Sequence, residues 1–344
     1  MVSHSADVAW KHAEGVRRSV TWLAALALAA GAQAGVPPSY DFDFATIGDV
    51  RNPAYTDGPG GPNGGYPLGR GSVGYQYRMS RLEVSTAQWM EFANAAASFG
   101  DDSIGDRINF AGYERDVGSG AHYSLRPFAG ADRYPVFGIP WDNAAKYCNW
   151  LQNGKAASPA ALVTGAYDLA GVQPPLSRLP GAQYWIPNID EWIKSVHYDP
   201  DRYGVGQGGY WQFPNSSDTR PLTGPPSAGG QTNAGSRGFD GSLLELGSYP
   251  NTRTPWGLLD ASGGAAEWLE NAFDPQISAW RYDGRGALDS TGSGETLDLI
   301  WGGGSATYFS SSSAIGLRIA SSVPSTPGVL TFAAFGAWFS RRYR

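Results

Sequence analysis

Apolar positions along this chain recur in short runs separated by long stretches of turn-forming residues. Residues 74–79 alternate apolar and polar, the two-residue period of a half-buried strand. Ser85-Thr86 precedes the run Ala87-Gln88-Trp89-Met90-Glu91-Phe92-Ala93-Asn94. A small hydroxyl side chain ahead of an apolar-periodic run can accept the free N–H groups of a first turn, so a capped helix is predicted there. A second helix is predicted over 142–151, where Ala144, Ala145, Cys148 and Leu151 fall at helical spacing, and a third over 189–196. Residues 35–75 are rich in Gly, Pro, Asn and Asp, with 55–74 reading as loop, and residues 200–255 are mostly Gly, Pro, Ser and Asn. The sequence has no internal repeat, and no linker divides its middle. Aromatic residues bracket the Gly-rich stretches, which predicts long ordered loops on one domain.

Composition sharpens this picture. Among 344 residues, 42% are hydrophobic and 13 are Trp, enough to bury a sizeable core. Only 16% are charged, while 47 Gly and 24 Pro favour turns over long helices. The net charge of −6 argues against a nucleic-acid partner, which needs a basic face to displace counterions. The single cysteine, Cys148, excludes an internal disulfide framework.

The two ends predict export. Arg17 and Arg18 precede an apolar run over 20–30, and Ala32-Gln33-Ala34 has the small-residue cleavage pattern. Together these form a secretory signal over 1–34, whose apolar run over 20–30 is too short to span a bilayer permanently. At the other end Pro324 and Pro327 precede an apolar run over 329–339, closed by Arg341, Arg342 and Arg344. That tail, residues 323–344, resembles the PEP-CTERM type of bacterial sorting signal, although the usual Glu of its motif is missing. It implies recognition by sorting machinery, with transient membrane contact, and places the protein at the cell envelope, cell surface or outside.

The domain predicted over 35–322 carries a second resemblance, set out as ordered blocks over about 44–321. Tyr77-Arg78-Met79-Ser80-Arg81-Leu82-Glu83-Val84-Ser85-Thr86-Ala87-Gln88-Trp89 is similar to an opening strand followed by "EVTNAQY". Tyr134-Pro135-Val136 and Trp141-Asp142-Asn143-Ala144-Ala145-Lys146-Tyr147-Cys148-Asn149-Trp150-Leu151 resemble a "PV…SW-DA-YCNWL" block. Trp185-Ile186-Pro187-Asn188-Ile189-Asp190-Glu191-Trp192 resembles "RLPTEAEW", and Tyr210-Trp211-Gln212-Phe213-Pro214 followed by Ser217-Asp218 resembles "YW-YP-SD". Pro255-Trp256-Gly257-Leu258-Leu259-Asp260 with Glu267-Trp268 resembles "PFGLYDMGNVWEW". Gly303-Gly304-Ser305 and Gly316-Leu317-Arg318-Ile319-Ala320 resemble "RGGSW" and "GFRVA". The set resembles the formylglycine-generating enzymes, or sulfatase-modifying factors. The resemblance implies an α+β, modified C-type-lectin-like single domain with little regular secondary structure.

The resemblance also implies chemistry. Those enzymes oxidise a substrate cysteine with copper and O₂ at a cysteine pair following "GGS". The matching positions here are Tyr308 and Ser313, and neither is a thiol. Two thiolates hold Cu(I) because both metal and ligand are soft, so this chain speaks against copper. Non-haem iron, used elsewhere in the superfamily, needs a cluster of His and carboxylate; only His122 and His197 follow the signal. Calcium is the cofactor the resemblance favours. Asp260 and Glu267 stand where the family places carboxylates, Gly263 and Ala265 where it uses carbonyl oxygens, and Asn233 with Asp240 would form a second site. Arg318 reads as a structural residue tying buried acids or carbonyls. Two functions follow: a non-catalytic binding module for a protein or extracellular-matrix ligand, or an oxidoreductase of the superfamily with a rearranged site.

Overall fold

Ser85 caps a helix as its position predicts. Its hydroxyl accepts the Gln88 N–H at 3.2 Å while the Gln88 side chain accepts the Ser85 N–H at 3.0 Å. The computed structural model describes residues 36–56, 67–106, 112–116, 122–171, 174–234, 244–274, 277–284, 300, 304–307 and 315–324. In chain order these form β1 (Phe44–Ile47), β2 (Tyr77–Ser80), α1 (Thr86–Ala97), α2 (Ser103–Asp106), β3 (Tyr113–Arg115) and β4 (Tyr123–Leu125). Then come α3 (Trp141–Gln152), α4 (Ala160–Val163), β5 (Tyr184–Trp185), α5 (Ile189–His197), β6 (Tyr198–Asp199) and β7 (Gly209–Tyr210). The chain closes with β8 (Ala266–Asp274), β9 (Ile277–Gly284), β10 (Gly304–Thr307), β11 (Ile315–Gly316) and β12 (Ala320–Ser322). The secretory signal and nearly all of the sorting tail lie outside the described residues, as do Asp240, Tyr308 and Ser313.

The three predicted helices are α1, α3 and α5. The predicted strand over 74–79 is shorter at its start, because its partner β1 ends at Ile47 opposite Tyr77. Beyond Ile47 the partner chain turns away through Asp49 and Arg51, both at positive φ. The first sheet runs β1-β2-β12-β5, so strands near both ends of the folded region lie side by side. The second runs β10-β9-β8-β11, with β11 parallel to β8. Small sheets, few helices and long ordered loops make this an α+β fold with little regular structure, as the resemblance implies.

Aromatic side chains on α1 and α3 fill the main core. Trp89 stacks on Tyr147 with ring centres 5.4 Å apart, and Phe92 packs against Trp150 at 5.3 Å. Two tryptophans tie α3 to β8 across this core: Trp141 donates Nε1–H to the Leu269 carbonyl at 2.9 Å, and Trp268 donates to that of Ile139 at 2.8 Å. Each buried indole thus meets an acceptor that holds the helix start against the strand. A second core under α5 packs Trp192, Ile193 and Val196 against Tyr198, Tyr210 and Leu269.

Candidate functional site

The parallel pairing of β11 with β8 sets Gly316 beside Glu267, which brings Arg318 onto the same carboxylate. Arg318 donates Nε–H to Glu267 Oε1 at 2.8 Å, with Nη2 also 2.8 Å from that oxygen. Its remaining donors reach the carbonyls of Ser80 (2.9 Å), Arg81 (2.8 Å) and Leu259 (2.9 Å). Trp192 donates to Glu267 Oε2 at 2.6 Å. Both side chains are shut off from water, at 0% and 2% exposure for Arg318 and Glu267. Such a pair compensates its own desolvation only because every donor finds an acceptor.

Asp260 sits at φ +57° and accepts the Gly247 N–H at 2.6 Å. Burial raises its carboxyl to about 6 from an ordinary 3.8. Asn233 Oδ1 accepts the Gly264 N–H at 3.0 Å. Gly263 and Gly264 both have positive φ, and a Cβ on Gly263 would lie 2.0 Å from Asn233 Oδ1. A Cβ on Gly264 would lie 2.8 Å from Glu83 Oε2, so this turn must be glycine for space as well as for backbone angle. Glu83 is a residue the sequence reading passed over. Its Oε1 accepts the Ala265 N–H at 2.9 Å, and its buried Oε2 has no hydrogen-bond partner. Burial, then the Glu267 charge, pushes its carboxyl well above the usual range.

The expected calcium set therefore divides in two. Asp260 and Asn233 border a cavity of about 10 Å³ together with Glu83 and Gly264. That is room for about one water molecule. Glu267 does not line that cavity, and both its oxygens are taken by Arg318 and Trp192. Among the described residues no three His, Cys, Asp or Glu side chains converge as metal ligands. A guanidinium already balances Glu267, so its carboxylate does not fit a calcium ion without losing Arg318.

The other candidates are placed as follows. Cys148 is fully buried in α3, where burial raises its thiol well above 9.0. His197 is fully buried, with Nδ1 3.1 Å from the Trp211 carbonyl, and burial lowers it to about 3. His122 stands apart from it, half-exposed, with Nδ1 3.8 Å from Asp102. The two histidines share no site.

A second buried charge network lies between α5 and β8. Arg178 bridges Glu191 at 2.9 Å and Glu270 at 3.1 Å, and its guanidinium lies over the Trp185 ring. Tyr167 also donates to Glu270, at 3.2 Å, yet burial still raises that carboxyl to about 7.

Residues 66–323 match the family model described as a sulfatase-modifying factor enzyme 1-like domain. The chain belongs to that family. No curated protein sequence matches it significantly. Among solved structures it is similar to CarF, with a TM-score of 0.50 and 16% identity over 83% of this chain and 99% of that one. It is also similar to Treponema denticola variable protein 1, with a TM-score of 0.47 and 15% identity over 82% and 95% of the two chains. At such identity the likeness to CarF speaks for the fold alone. The family match agrees with the resemblance carried by the ordered motifs.

Proposed function

We propose that this family member is an exported, non-catalytic binding module of the cell surface. One observation carries the reading: the only thiol of the chain, Cys148, is buried in the aromatic core beside Tyr147 and Trp150. The family's oxidation of a substrate cysteine uses two accessible thiolates on copper, and this chain has no second cysteine to supply one. The buried acids support the same reading, since Glu267 is committed to Arg318 rather than to a reacting group. The secretory pattern ending at Ala34 and the tail over 323–344 support delivery to the envelope.

Incubating the purified protein with a cysteine-containing sulfatase peptide and copper tests the chemistry. Mass spectrometry should find no formylglycine above a control without protein. Copper-dependent aldehyde formation would restore the oxidase reading. For export, the surface protein should begin near Gly35, and deletion of residues 323–344 should release it to the medium. An intact N-terminus or unchanged localisation would remove those parts of the proposal.

A further inference from the structure

Strands β6 and β7 form a hairpin, and a cavity of about 240 Å³ lies beside its turn. Tyr203 on that turn lines the cavity and is 62% exposed. Its backbone is pinned: the Tyr203 N–H donates to the Gln207 carbonyl at 2.9 Å, and Asp201 Oδ1 accepts the Gly206 N–H at 2.7 Å. A Cβ at residue 209 would lie 2.5 Å from the Tyr203 ring, so glycine there lets the ring lie against β7. Tyr210 forms another wall, packed edge-on against Tyr55 at 5.6 Å, with its hydroxyl already donating to the Pro53 carbonyl at 2.8 Å. The polar lining is Arg202, Asp218 and Gln212. Arg202 lies over the Tyr203 and Trp211 rings and donates to Asp218 Oδ2 at 2.6 Å, so the pair carries no net charge. Asp218 Oδ1 accepts the Gln212 N–H at 3.2 Å, and this 44% exposed carboxylate keeps further lone pairs on both oxygens. Gln212 is exposed, and its carboxamide makes no hydrogen bond among the described residues.

We propose that this cavity binds one pyranose ring of an uncharged sugar. The C–H groups on a pyranose face carry slight positive charge and match the negative π face of an open tyrosine ring. The hydroxyls at its edge both donate and accept, which suits a carboxylate that accepts and a carboxamide that does both. An anion would have to displace Asp218 from Arg202, and a cation would have to displace Arg202 from Asp218, so the paired lining selects a neutral ligand. Tyrosine has only two torsions to freeze, and here its backbone is already fixed, so binding orders little. The proposal adds a ligand class to the binding-module reading. Its test follows sugar binding rather than aldehyde formation, so either can fail alone.

The test is a ligand-observed NMR titration of the full chain with the methyl β-glycosides of glucose and galactose, and with sorbitol, a polyol that has the hydroxyls but no ring. At least one glycoside should bind, in the millimolar range of a single stacked ring, and sorbitol should not. Methyl β-cellobioside and methyl β-lactoside end in the same two rings. Tighter binding of the disaccharide assigns the ligand to a glycan chain running past the cavity, and equal binding assigns it to a single ring. Tyr203→Phe should keep the affinity, because the ring face rather than the hydroxyl makes the contact. Tyr203→Leu, apolar but without a π face, should weaken binding about tenfold. Gln212→Ala should weaken it about fivefold, as loss of one hydrogen bond does. Both residues are exposed, so the variants should melt at the wild-type temperature. No binding by either glycoside, equal binding of sorbitol, or an affinity unchanged in both Tyr203→Leu and Gln212→Ala would overturn the proposal.

Discussion

Arg318 and Glu267 meet at 2.8 Å with neither side chain open to solvent, and together they join β2, the turn at Leu259, β8 and α5. Removing one member strands the other charge in the core. Glu267→Ala should therefore destabilise the protein by about 3–5 kcal/mol, as broken buried pairs do. Since Arg318 rather than a metal balances Glu267, the loss measured by urea denaturation should be the same with and without calcium. A loss seen only with calcium present would show that the ion displaces Arg318.

The turn before β8 admits no Cβ at residue 264, where φ is +69° and Glu83 lies 2.8 Å away. Gly264→Ala should cost at least about 1 kcal/mol from backbone strain, with the contact to Glu83 added to it. Gly74→Ala, with open space around its Cβ and no positive φ, is the control and should change stability little. Equal melting temperatures for the two variants would contradict the placement of this turn.

Glu270 predicts a pH dependence of definite sign. Its carboxyl is raised from 4.5 to about 7 in the fold, so the native state holds a proton that the unfolded chain has released. The unfolded state then binds fewer protons across that window, and stability falls as pH rises. Relative to Glu270→Gln, the wild type should lose on the order of 2–3 kcal/mol between roughly pH 4.5 and 7. His197 acts in the opposite direction. Lowered from 6.5 to about 3, it costs stability as pH falls through that range, and the comparison with Glu270→Gln cancels it. A stability difference independent of pH would rule out the shift at Glu270.

Cys148 should be silent toward thiol reagents in the native protein. Reaction needs thiolate and access, and burial removes both. One equivalent should react with Ellman's reagent in denaturant and none without it on the timescale of mixing. Native-state labelling as fast as that of the unfolded chain would place the thiol outside the core.

Local signals settled much of this protein before any tertiary contact was considered. The cap at Ser85 and the apolar spacing through Cys148 and Leu151 mark α1 and α3, and the pattern over 189–196 marks α5, because capping and helical period act between residues three or four apart. Ordered motifs marked the family, and the lack of a second cysteine bounded the chemistry, since no fold can supply a thiol the chain does not encode. The long hairpin of β8 and β9 was not legible: its register shifts between Trp268 and Ala272, and such bulges interrupt the alternation that reveals a strand. Nor was the fate of Glu267. The motif offers it as a calcium ligand, but the parallel seat of β11 on β8 brings in Arg318 from 51 residues away and commits both carboxylate oxygens to protein donors. Glu83 was missed for the same reason. Within its own strand-to-helix segment it is one acid among several. Its burial and unpartnered oxygen arise only when the glycine turn before β8, 182 residues away at Ala265, closes over it. Sequence pattern fixes what is local. Which buried charges face each other depends on long-range strand pairing, where the energy of desolvation is decided.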